Sequence, residues 1–115
     1  MHRIDQQLKE KLNEISNLKY NWDGYEADPI PNNIIRKAKR LLRRIPNNCF
    51  VSPTGRETIQ IEYQFGDIYI EIEIFNDRYV LFFSEESNGD SIQREYSLGF
   101  RHTIWCLKNY INYSK

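Results

Sequence analysis

Few side chains in this sequence can take a proton, attack a carbonyl or hold a metal, and they are scattered. The histidines are His2 and His102, and the cysteines are Cys49 and Cys106. Cys–His chemistry needs a thiol beside an imidazole that takes its proton, so the fold would have to carry Cys49 or Cys106 to His102. Cys106 follows His102 by four residues. On a helix the two share a face, but two ligands fall short of a zinc centre. Glu71 and Glu73 are spaced to share one face of a strand, as a pair for acid–base work would be. Acids alternating on a solvated strand have the same spacing. None of the GxSxG, P-loop, GxGxxG or HExxH patterns occurs. The expectation is no catalytic residue, no metal and no cofactor.

Charge is balanced overall, with 16 Lys and Arg against 16 Asp and Glu, so no global field draws the chain to nucleic acid. It is segregated along the sequence, however. Residues 32–56 carry seven bases (Arg36, Lys37, Lys39, Arg40, Arg43, Arg44 and Arg56) and no acid, whereas residues 57–95 carry ten acids and two arginines. A basic helix can track phosphates by releasing counterions, which makes Arg36, Lys37, Arg40, Arg43 and Arg44 the candidate nucleic-acid surface. That helix offers little Asn, Gln or aromatic chemistry for reading bases, and a solvated helix face, partly paired to acids of the first helix, is the simpler explanation.

Behind these residues stand elements that the hydrophobic period reveals. Ile4, Leu8, Leu12, Ile15 and Leu18 (or Tyr20) recur every three or four residues, which predicts an amphipathic helix over residues 3–19. Ile34, Ile35, Ala38, Leu41, Leu42 and Ile45 predict a second, opened by Pro31-Asn32-Asn33 with an Asn as cap and closed by Pro46. From Thr58 the period changes to two, in "TIQIEYQF", "IYIEIEIF", "RYVLFFSEE" and "SIQREYS". Gly66-Asp67, Asn76-Asp77 and Asn88-Gly89 separate these runs as hairpin turns. A last helix over about residues 100–113 buries Phe100, Ile104, Leu107 and Ile111. The loop "PNNCFVSPTGRE" holds at most a short extended piece at Cys49–Val51.

The expected fold is one α+β domain over residues 1–115: two N-terminal helices, a four-stranded antiparallel β-meander and a C-terminal helix, with the helices on one face of the sheet. Two-residue turns set Phe65 opposite Ile68, so Glu62 faces Glu71 and Gln60 faces Glu73. They also set Ile74 opposite Tyr79, Ile72 opposite Leu81 and Ile70 opposite Phe83. The covered face then holds Ile59, Ile61, Tyr63, Ile70, Ile72, Ile74, Tyr79, Leu81 and Phe83, with Ile92, Tyr96 and an Arg94 that snorkels over the edge or pairs with an acid.

The other face carries Glu62, Tyr69, Glu71, Glu73, Val80, Phe82 and Glu95. An apolar centre with an acidic rim is one form of protein-binding patch, and these seven residues are the candidate partner-binding surface. Eight tyrosines among the aromatics, which form 14% of the chain, fit contact surfaces and half-buried strand positions alike. With no CxxC pair, no secretory signal and no run of roughly 18 apolar residues, a cytoplasmic protein away from membranes is expected. The function expected is the non-catalytic docking of one partner protein, as antitoxins, immunity proteins and phage-encoded inhibitors do. Nucleic-acid binding through the basic helix is the alternative, a minor enzyme or metal reading through His102, Cys106 and nearby acids is the third, and homodimerisation through the exposed sheet face competes with all three.

One segment, "NWDGYEADPIP" at residues 21–31, resists a purely helical reading. Asp23-Gly24 is a turn signal. The turn is expected to throw Trp22 and Tyr25 to either side as plugs between helices and sheet, making Trp22, Asp23, Gly24 and Tyr25 a structural corner. Asp23, Glu26 and Asp28 are expected to cap N–H groups or to meet the arginines that follow. The motif resembles that of a group of small uncharacterised bacterial proteins with an N-W-D-G-Y-x-A-x-P-I pattern. The matching positions are Asn21, Trp22, Asp23, Gly24, Tyr25, Ala27, Pro29 and Ile30, then Pro53, Gly55, Ile59, Ile61, Glu62 and Tyr63, about the first half of the chain. A glycine is usual in that group where Glu26 stands here. The resemblance implies a bacterial or phage origin, and it implies that Glu62-Tyr63 joins the Trp22 corner in one structural unit.

Overall fold

The computed structural model describes all residues, 1–115. The first helix, α1 (Gln6–Ser16), starts where Asp5 accepts a hydrogen bond from the Gln7 N–H at 2.9 Å, and it buries Leu8, Leu12 and Ile15. The second, α2 (Asn32–Leu42), buries Ile34, Ile35, Ala38, Leu41 and Leu42. No asparagine caps it. The cap position is Pro31, which has no side-chain acceptor, and Asn33 lies inside the first turn with its amide on the Asn76 side chain. The Pro31 carbonyl accepts the first helical hydrogen bonds, from the Ile34 and Ile35 N–H groups at 3.0 and 3.2 Å. Ile45 lies beyond the helix and is still fully buried.

The sheet has five antiparallel strands in chain order: β1 (Phe50–Pro53), β2 (Ile59–Phe65), β3 (Ile68–Ile74), β4 (Tyr79–Ser87) and β5 (Asp90–Leu98). The expectation of four strands missed β1. That strand has only four residues, one of them a proline, too few to display a period of two. Its register is Phe50 opposite Glu62 through Pro53 opposite Ile59. The registers inferred from the two-residue turns hold: Glu62 faces Glu71, Gln60 faces Glu73, Ile70 faces Phe83 and Ile72 faces Leu81.

The chain ends in α3 (Phe100–Tyr113), which packs on β4 and buries Thr103, Ile104 and Leu107. The core lies between the helices and the isoleucine face, where Ile59, Ile61, Ile70, Ile72, Ile74 and Leu81 have no exposed surface. Each such side chain contributes about 2–3 kcal/mol relative to leaving it in water. No helix is long and apolar enough to cross a membrane.

The two edges of the sheet differ. Beside β1 lies α1, and β1 stops at Pro53, which has no N–H to offer. Strand β5 runs for nine residues, and all but Tyr96 and Leu98 are exposed. Ile92 lies on the expected side but stays 47% exposed. Arg94 pairs with no acid; it turns back to donate to the Gln93 carbonyl at 2.9 Å.

Candidate functional site

The face of the sheet turned away from the helices presents Tyr69, Val80 and Phe82 half-buried, with Glu62 and Glu71 beside them, also half-buried, and Glu95 exposed. Tyr69 and Phe82 rings lie 6.2 Å apart in a tilted arrangement. Glu71 sits opposite Glu62 on one side and Phe82 on the other, and Phe82 sits opposite Glu95. The alternation along β3 also brings the Tyr69 hydroxyl to Glu71 Oε1, to which it donates at 2.8 Å. Burial, then this hydrogen bond, pushes the Tyr69 phenol above its ordinary range, so it stays a donor. Glu62, Glu71 and Glu95 take part in no ion pair, the two in the chain being Arg56–Glu73 and Arg78–Asp77. Like charges facing across a strand pair cost a few tenths of a kcal/mol, so the Glu62–Glu71 juxtaposition works slightly against the fold.

Glu73 belongs to a different arrangement. It is only 9% exposed. The loop joining β1 to β2 folds over it, and Arg56 grips it twice, Nε to Oε2 at 3.0 Å and Nη2 to Oε1 at 3.2 Å. A relay of donors completes the site. The Arg56 N–H donates to Thr54 Oγ1, Thr54 and Thr58 share a hydrogen bond, and Thr58 donates to Glu73 Oε2 at 2.6 Å. Burial alone would raise the Glu73 carboxyl, but the Arg56 and Thr58 hydrogen bonds outweigh it and hold the group below the usual range. Glu73 is therefore neutralised internally and drops out of the acidic surface. Sequence reasoning missed Arg56 and Thr58 as its partners. The available signal was register: Gln60 faces Glu73, so Thr58, two residues back, shares that face and end of the strand.

The five candidate bases divide: Arg36, Lys37 and Arg40 lie on α2, and Arg43 and Arg44 follow its end. Lys37 donates to the carbonyls of Phe75 and Asn76 and lies 4.6 Å from the centre of the Tyr79 ring. The Arg40 guanidinium lies 3.9 Å from the centre of the Phe100 ring. Both fasten the helix to the rest of the molecule. Arg36, Arg43 and Arg44 remain exposed, and none is in an ion pair, with acids of α1 or elsewhere.

The segment at residues 21–31 is a self-satisfied corner. Asp23 Oδ1 accepts from the N–H groups of Tyr25 at 2.9 Å and Ala27 at 3.1 Å, and Asn21 Oδ1 accepts from Glu26 N–H at 2.8 Å. Trp22 packs against the core and donates its indole N–H to the Asp28 carbonyl at 3.0 Å. Tyr25, expected as a second plug, is instead 87% exposed. Of the three acids, Asp23 alone caps backbone; no side-chain bond or ion pair joins Glu26 or Asp28 to the arginines of α2. A Cβ on Gly55 would stand 3.2 Å from Asp23 Oδ2, so the Pro53–Gly55 loop rests on this corner. Tyr63 points elsewhere, its hydroxyl donating to the Pro46 carbonyl at 2.6 Å.

Burial pushes the Cys49 thiol up to about 11 and raises that of Cys106, so both are protonated near neutrality. His102 is exposed on α3, and no three His, Cys, Asp or Glu side chains converge to hold a metal. Comparison of the chain with protein-family models, with curated proteins and with solved structures finds no match.

Proposed function

We propose that this chain is a small binding module without a catalytic role, which docks one protein through the outer face of its sheet. The observation that carries the reading is the uncovered cluster of Tyr69, Val80 and Phe82 beside Glu62, Glu71 and Glu95, three carboxylates outside any ion pair. Glu62 and Glu71 stand face to face across the β2–β3 pair, and a lysine- or arginine-rich partner surface suits two carboxylates so placed. The aromatic pair supplies apolar area of the kind that anchors interfaces. Docking of one partner protein is the kind of action an antitoxin, an immunity protein or a phage-encoded inhibitor performs, and we place this chain in that class.

The test is co-purification of the partner with the wild-type chain and with a Glu71→Gln/Phe82→Ala double variant. The variant should lose the partner while keeping its circular dichroism spectrum, and raised salt should weaken the wild-type complex. Undiminished capture by the variant rejects this surface. The nucleic-acid alternative has less support: two of its five bases, Lys37 and Arg40, are engaged in internal contacts.

A further inference from the structure

The free edge of β5 leads beyond the outer face. Asn88 (φ 53) and Gly89 (φ 84) form a two-residue turn with both residues left-handed, the type that matches strand twist. Such a turn makes its flanking residues, Ser87 and Asp90, a hydrogen-bonded pair. Alternation along the ladder then turns the N–H and C=O groups of Asp90, Ile92, Arg94, Tyr96 and Leu98 toward β4. Those of Ser91, Gln93, Glu95 and Ser97 point away from the sheet. All four are exposed. The Arg94 guanidinium on the Gln93 carbonyl is the single hydrogen bond that reaches them from outside the ladder.

No bulge or proline interrupts this edge; of the usual means of blocking sheet extension it carries only charged side chains, Asp90, Arg94 and Glu95. The half-exposed Ile92 sits on it, next to a groove of about 340 Å³ shared with Arg94, Asn109, Tyr110 and Tyr113.

We infer that β5 pairs with β5 of a second copy of this chain, antiparallel about a two-fold axis, to give one continuous ten-stranded sheet. The choice of a second copy rests on charge and register. The chain has zero formal net charge, so two copies approach without long-range repulsion. A two-fold axis normal to the sheet keeps the helix sides of both copies together and pairs residues of the same face. An axis through Arg94 or Glu95 would set like charges opposite each other. An axis through Gln93 sets Gln93 opposite itself, Ile92 opposite Arg94, Ser91 opposite Glu95 and Asp90 opposite Tyr96. These are seven facing pairs with no like charges, and the outward groups of Ser91, Gln93 and Glu95 become the hydrogen-bonding ones. The same placement covers Ile92 and closes the groove beside it.

Light scattering on the purified full-length chain should give twice the 13.9 kDa chain mass. Gln93→Pro removes an N–H that β4 does not use, so the monomer should keep its circular dichroism spectrum while the mass halves. Where that variant fails to fold, charge reversal decides. Gln93→Lys and Gln93→Glu should each be monomeric, and an equimolar mixture should regain the doubled mass. A wild-type chain that stays monomeric at all accessible concentrations overturns the inference. So does a mixture that stays monomeric, or a folded Gln93→Pro chain that remains a dimer.

Discussion

At the scale of the residue, Glu73 is the side chain whose removal has the clearest consequence. It is a carboxylate held by Arg56 and Thr58 under a loop, and its depressed titration stabilises the fold only while it is ionised. That contribution is complete above the ordinary glutamate value of about 4.3. It fades as the pH falls through the lower value the group has in the folded chain. Glu73→Gln should lower stability by about 1–2 kcal/mol at neutral pH, measured by urea unfolding. The gap between variant and wild type should then narrow as the pH is taken toward 3. The cysteines supply a second test at this scale. With its thiol pushed up by burial to about 11, Cys49 should react far more slowly with a thiol reagent at neutral pH than after denaturation.

At the scale of the element, the corner at residues 21–31 shows where sequence reasoning carried and where it stopped. Asp23-Gly24 read correctly as a turn, because glycine's tolerance of positive φ is a local property, and φ at Gly24 is +79°. That Tyr25 faces water was not legible, since nothing local fixes which way a loop aromatic turns. Glu26 adopts φ 64, a left-handed conformation that costs a residue with a Cβ roughly 1 kcal/mol or more. A glycine would adopt this conformation without that cost. Glu26→Gly should therefore raise the melting temperature, with a gain of up to about 1 kcal/mol.

The strands were more legible than the loops, because period and turn length together fix which residues face each other. The same arithmetic could not find β1, nor show that the loop after it reaches back over Glu73. The internal contacts of Lys37 and Arg40 were not legible for a related reason. A base on the polar stripe of a helix looks solvated until the positions of Tyr79 and Phe100 are known.

At the scale of the whole molecule, sidedness survives the comparison with one revision. The isoleucine face is buried and the glutamate face is open, except at the Glu73 end, where the Thr54–Thr58 loop covers it. Partner capture through Glu71 and Phe82 is therefore expected to be insensitive to Glu73→Gln, provided the chain stays folded at the temperature of the assay. Loss of capture by a folded Glu73→Gln chain would move the contact surface toward that loop.

The unlike margins of the sheet have one more consequence. A chain that seats itself along β5 leaves, as the outermost rim of the enlarged sheet, only another β1, stoppered by Pro53 and flanked by α1. So short and proline-ended a rim disfavours a further strand, and the assembly is expected to stop at its first addition. A β-rich chain with one long bare margin is in this way kept from polymerising into fibres.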